Sequence, residues 1–134
     1  MPELTQDQVR TLADGFFAAS QSVGDFRLLH FMDISDEDQA ELRSLQKALR
    51  QQAIDLTADA IRLTLEGIKP SLERIGAVTK EVNRAVGKLK DVRRVIGIAT
   101  SFVNLGGAIL TGNPAAIAAA LGSTVTAVEE SDAD

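Results

Sequence analysis

From position 95 to position 128 the chain reads VIGIATSFVNLGGAILTGNPAAIAAALGSTVTAV without one charged side chain. A segment of this kind has to be buried, in protein or in lipid, and everything upstream has to provide for that burial. The three residues Gly112, Asn113 and Pro114 divide it. Glycine suits the left-handed position past a helix end, asparagine caps the next helix, and proline fits its first turn. The segment is therefore expected to be a helical hairpin. On the first arm Val95, Ile98, Phe102, Leu105 and Ile109 form one apolar stripe, with Ile96, Val103 and Leu110 widening it. On the second arm Ile117, Leu121, Val125 and Val128 form the ridge. Between them Gly97, Ser101, Asn104, Ala108 and Thr111 make a strip of small residues, against which the alanine-rich second arm is expected to pack. Asn104 in that strip is expected to hydrogen-bond across the hairpin, or to a symmetry mate, and so fix register.

Lipid and protein make different demands on length. A span needs about 20 apolar residues, with about 17 as the low end. The first arm just reaches that, and the second, diluted by Ser123, Thr124 and Thr126, falls short. Burial against protein is the favoured expectation and insertion into a membrane the alternative.

The rest of the chain reads as the supporting bundle. Thr5 to Gln8 has the form of a capping box, and Val9, Leu12, Phe16, Ala19, Val23 and Phe26 follow at helical spacing. Leu28, Leu29, Phe31 and Met32 extend the apolar face, which predicts a first helix over about 6–32, with Gly24 a place where it can bend or break. Ser35 is a good N-cap, and Asp36, Glu37 and Asp38 suit the first turn of a second helix. That helix, about 36–66, shows the clearest seam: Leu42, Leu45, Leu49, Ala53, Leu56, Ala60 and Leu63 in alternating threes and fours, with a second apolar line from Ile54 onward. Pro70 predicts a turn. Leu72, Ile75, Thr79, Val82, Val86, Leu89 and Ile96 then continue at heptad spacing into the first arm, predicting one long helix over about 71–111, followed by the last helix over 114–128. The fold expected is all-α: an elongated antiparallel bundle in one domain, 1–128, with a C-terminal apolar hairpin and a disordered acidic tail, 129–134. A helix of that length would carry the hairpin beyond the bundle as an apolar head. Such a head would need cover from a second subunit, from lipid, or from folding back at Gly97.

Charge is segregated. Residues 1–60 hold 11 acids and 5 bases, residues 61–94 hold 4 acids and 9 bases, and the remainder holds 4 acids, which sums to the net −5. Acidic and basic elements can pack together within one molecule. Lys88, Lys90, Arg93 and Arg94 can also be read as a basic collar at the base of the hairpin, placed to meet anionic head groups. Folding the hairpin at Gly112 brings Arg93 and Arg94 toward Glu129 and Glu130. Without Trp or Tyr the chain has few stacking platforms for bases, and nucleic acid is not an expected partner. The polar, acidic N-terminus MPELTQDQVR lacks a signal-peptide pattern, so a cytoplasmic protein is expected, peripheral to or inserting into a membrane on the alternative reading.

Chemistry finds little to work with. Cys is absent, and His30 is the single histidine. His30 with Asp33 and Glu37 has metal-ligand spacing only if one helix carries all three, and the break expected over 33–35 scatters them. No nucleophile and base pair, phosphate loop, cofactor site, metal site or small-molecule substrate site emerges. A non-enzymatic protein is expected, a homo-oligomer in which Ile98, Phe102, Leu105, Ile109, Ile117, Leu121 and Val125 form the subunit interface. The order of polar helices, basic collar, Gly/Ala-rich hairpin and acidic tail, carried by residues 71–128, resembles the small components of bacterial α-helical pore-forming toxins, and is similar in style to small helical bacterial proteins. The first resemblance implies an apolar head that stays hidden until it inserts; on the membrane alternative the same seven residues are the ones expected to meet lipid.

Overall fold

The computed structural model describes residues 6–58 and 72–132, and every regular element in them is helical. Five α-helices follow in order: α1 Gln6–Leu29, α2 Asp36–Ala58, α3 Leu72–Lys88, α4 Val92–Thr111 and α5 Pro114–Asp132, with a 3-10 turn Phe31–Asp33 between the first two. Helix α1 buries Val9, Leu12, Phe16, Ala19, Val23 and Phe26, the full face its spacing specified. Helix α2 buries Leu42, Leu49, Ala53 and Leu56 and half-buries Leu45. Ala60, Leu63, Pro70 and the Thr5 cap lie outside the described residues, as does the second helix beyond position 58. Ile54, the start of the second apolar line, is exposed.

Polar cross-links fix the helix directions. Ser20 Oγ donates to the Gln46 carbonyl and so joins α1 to α2. Ser22 Oγ donates to Asn83 Oδ1 at 2.7 Å, and Gly15 faces Thr79, so α3 lies along α1 in the same direction. Arg93 reaches Asp38, and Gln52 Nε2 donates to the Val103 carbonyl at 2.7 Å, so α4 descends beside α2. The five described helices therefore run up, down, up, down, up. Gly24 does not break α1, which is continuous from Gln6 to Leu29. It lets Gln46 approach to where a Cβ would meet Nε2 at 2.6 Å, and Gln46 Oε1 accepts from Arg27 Nη1 at 2.6 Å.

The expected long helix over 71–111 does not form. It breaks at Leu89 to Asp91, where Asp91 adopts an extended conformation and its Oδ1 accepts from the Arg93 N–H at 2.9 Å. The chain turns back at this N-cap, well before Gly97, and lays α4 on the bundle. The energetic reason is burial: a continuous helix would leave Ile98, Phe102, Leu105 and Ile109 in water, whereas the reversal removes all four from solvent. Asp91→Ala should cost about 1 kcal/mol, the ordinary value of an N-cap. Thermal unfolding should show the loss, with faster hydrogen exchange at the Arg93 amide; an unchanged midpoint would show that the reversal does not depend on the cap.

The hairpin turn forms as its sequence requires. Gly112 sits at φ 72°, its N–H donating to the Ala108 and Ile109 carbonyls, and Asn113 Oδ1 accepts from the Ala115 and Ala116 N–H groups at 2.9 and 3.2 Å. Helix α5 continues to Asp132, so positions 129–132 of the acidic tail are helical and not disordered.

Candidate functional site

The hairpin residues expected at a subunit or membrane interface are the core of the single chain. Ile98, Phe102, Leu105, Ile109, Ile117 and Leu121 are each fully buried, and Val125 is half-buried. Phe102 stacks on Phe16 of α1 with ring centroids 4.3 Å apart and planes 13° from parallel. The interface role assigned to these residues assumed that one bundle is too small to cover them; four neighbouring helices do cover them. The strip of small residues also turns out otherwise. Gly97, Asn104 and Thr111 are exposed, and the opposite side of the helix meets the bundle. Asn104 makes no hydrogen bond across the hairpin, because its side chain points to water. The polar group that does reach this arm is Gln52 on α2, whose Oε1 is buried without a partner beside Gly106.

The basic collar is half committed to the fold. Arg93 Nη1 lies 3.0 Å from Asp38 Oδ1 and 3.4 Å from Glu41 Oε2. The Asp38 hydrogen bond, then the Asp38 and Glu41 charges, raise its already high pKa. Arg94 Nη1 donates to the Glu130 carbonyl, and its Nε lies 3.6 Å from Asp91. The fold thus realises the expected approach of the collar to the C-terminal acids through Arg94, and sends Arg93 to α2 instead. Lys88 and Lys90 remain exposed at the corner between α3 and α4.

His30, Asp33 and Glu37 do not converge, and among the described residues no three His, Cys, Asp or Glu side chains are placed to hold a metal ion. His30 packs on Phe26, ring centroids 4.5 Å apart.

That contact adjoins the largest group of exposed apolar side chains among the described residues. At the α1–α2 end Leu28, Leu29, Phe31 and Met32 are 73, 79, 56 and 91% exposed. Their backbone is held firmly. The His30 N–H donates to the Phe26 carbonyl, the Asp33 N–H to the His30 carbonyl, and Ser35 Oγ accepts from the Asp38 N–H. Behind them Arg27 Nε donates to Gln39 Oε1 at 3.1 Å and clamps the two helix ends together. The result is a supported turn that presents four large apolar side chains to water. Read as an extension of the α1 face, these residues were expected inside; a helix advances 100° per residue, so four apolar residues in five positions cannot share one buried stripe. That density, followed at once by Asp33 and Asp36, is the signal in the sequence.

The fold defines an all-α helical bundle with an apolar tip at one end. No family model, curated protein or solved structure matches the chain.

Proposed function

We propose that the protein is a non-enzymatic, self-associating helical module that makes its contact through the α1–α2 tip and not through the hairpin. The observation that carries this reading is the exposure of Leu28, Leu29, Phe31 and Met32 on a turn anchored by its own hydrogen bonds. A contiguous apolar surface of this kind on a soluble bundle is a mark of association. The hairpin has no comparable claim, since its large side chains are spent on the monomer core. Sedimentation of the wild type beside the double variant Leu29→Ser, Met32→Ser tests the reading. The wild type should exceed the monomer mass of 14.3 kDa as concentration rises, and the double variant should remain at it. A monomeric wild type, or a variant that still associates, overturns it.

One observation favours a membrane-active alternative: α4 is long and apolar enough to cross a bilayer. Half of its most apolar window is buried in the bundle, so insertion would require withdrawing Phe102 and its neighbours from the core. The commitment of Arg93 to Asp38 and Glu41 also leaves fewer charges to meet anionic lipid. Co-sedimentation with anionic vesicles separates the two readings. Self-association through the tip predicts negligible vesicle binding by the wild type and by a chain lacking residues 129–134. Strong binding that weakens with salt, and that increases on removal of those acids, would establish the membrane reading instead.

A further inference from the structure

We infer that Met32 is a modification site: a peroxide that converts its thioether to the sulfoxide makes the tip polar and weakens the contact between copies. This rests on the self-association reading and adds a redox control to it. Met32 is 91% exposed, more than any other large apolar residue among those described. Its thioether is also the one group in the tip that a mild two-electron oxidant attacks, since the side chains of Leu28, Leu29 and Phe31 offer no comparable lone pair. The chain holds no Cys, Trp or Tyr to compete for the oxidant, and of its two methionines Met1 lies outside the described residues.

The step balances with the peroxide as its only co-reactant. A lone pair on Met32 Sδ attacks one peroxide oxygen, and the O–O bond breaks as the S–O bond forms. The hydroxide that leaves takes the proton from the transferred oxygen and becomes water. Sulfur loses two electrons and the peroxide gains them. The product carries an oxygen that accepts hydrogen bonds in place of a soft, weakly polar sulfur. Because the side chain stands open to solvent, attack at either lone pair is expected, giving both sulfoxide epimers.

The fold does not depend on this side chain. The 3-10 turn Phe31–Asp33 buries none of its residues, and its backbone is held by the His30 N–H on the Phe26 carbonyl and the Asp33 N–H on the His30 carbonyl. Association is different, because there Met32 has to leave water. Side-chain donors for the new oxygen are few around it. Asp33, Asp36, Glu37 and Asp38 are acceptors when ionised, His30 packs on Phe26, and Arg27 is engaged with Gln39 and Gln46. A sulfoxide taken into the contact therefore gives up its water without a matching partner, and association should weaken roughly tenfold or more. The contact in turn covers Met32, so associated chains should oxidise more slowly than free ones.

Met32→Leu supplies the control, an apolar side chain of similar volume that peroxide leaves alone. Hydrogen peroxide is applied to the wild type and to Met32→Leu, peptide mass spectrometry locates the added oxygen, and sedimentation and thermal unfolding are measured before and after. In dilute wild-type protein Met32 should gain one oxygen at about the rate of free methionine, and more slowly as protein concentration rises. The oxidised wild type should associate roughly tenfold or more weakly than the untreated protein, at an unchanged unfolding midpoint. The two methionine sulfoxide reductases, one for each epimer, should restore it. Met32→Leu should associate like the untreated wild type both before and after peroxide. If Met32 resists peroxide, or if the oxidised wild type associates as before, this inference fails and the self-association reading stands. Loss of association by peroxide-treated Met32→Leu would trace the effect to another residue, and a lowered midpoint in the oxidised wild type would trace it to the fold; either overturns the inference. A wild type that is monomeric before peroxide overturns both.

Discussion

Phe102→Ala should unfold the protein or bring it close to unfolding. The ring is fully buried and stacked on Phe16, and its removal leaves a cavity between α1 and α4 that rigid helix backbones cannot collapse. Substitutions of this kind cost about 3–5 kcal/mol, against a total of about 5–15 kcal/mol for an ordinary domain. The aromatic pairing adds to the loss. Phe17, one residue away from the stacking partner on the same helix, is 42% exposed, and Phe17→Ala should cost far less. Urea titration of the three proteins reads both effects. The comparison bears on architecture as well as stability. If the hairpin were a detachable head on a self-sufficient bundle, Phe102→Ala would leave the main transition in place; a large fall of the single cooperative midpoint would show that α4 belongs to the folding unit.

The helix pattern was legible because local signals and burial agreed. The α1 face, the α2 seam, the Ser35 cap and the Gly112-Asn113-Pro114 turn each follow from spacing or from a backbone requirement that few residues meet. Where helix 3 ends was not legible from periodicity. Leu89 and Ile96 continue the heptad of Val82 and Val86, and a seam that stays in register gives no reason to stop. Only Asp91, an acid immediately before the apolar Val92, marks the new start, and one cap residue competes poorly with a seven-residue repeat. The stop decides what lies downstream: it replaces a projecting head by a hairpin seated on the bundle, puts Phe102 and Ile109 in the core, and leaves Asn104 in water with no bond across the hairpin.

The candidate site was misread for a related reason. Apolar residues at the end of a periodic face are ordinarily more of that face, and Leu28, Leu29, Phe31 and Met32 follow directly on Phe26. Exposure depends on where the helix stops relative to its neighbours. Leu28 and Leu29, still in α1, fall off its buried stripe, and the 3-10 turn after them carries Phe31 and Met32 outward, while Phe26 and the half-buried Ile34 stay in. The basic stretch was legible as a charge and not as a partner, because the division of Arg93 and Arg94 between α2 and α5 depends on the reversal at Asp91.

Two adjacent glycines should respond to alanine with opposite sign. At Gly106 a Cβ would collide with Gln52 Oε1 and lie 2.6 Å from Phe16 Cε2. The amide end of Gln52 can swing, but the Phe16 ring is fixed between α1 and Phe102, so the added methyl must push helices apart. Overpacking of this kind costs about 1–3 kcal/mol, more than the roughly 1 kcal/mol that alanine gains over glycine in a helix. At Gly107 nothing lies within 4 Å, and only the helix gain remains. Gly106→Ala should therefore lower the urea midpoint and Gly107→Ala raise it. Adding Gln52→Ala to Gly106→Ala should recover part of the loss, because it removes one of the two colliding groups, together with a buried oxygen that has no partner. A Gly106→Ala protein as stable as its Gly107→Ala counterpart would mean that α4 stands farther from α1 and α2 than a glycine contact requires, and the close seating of the hairpin would be disproved.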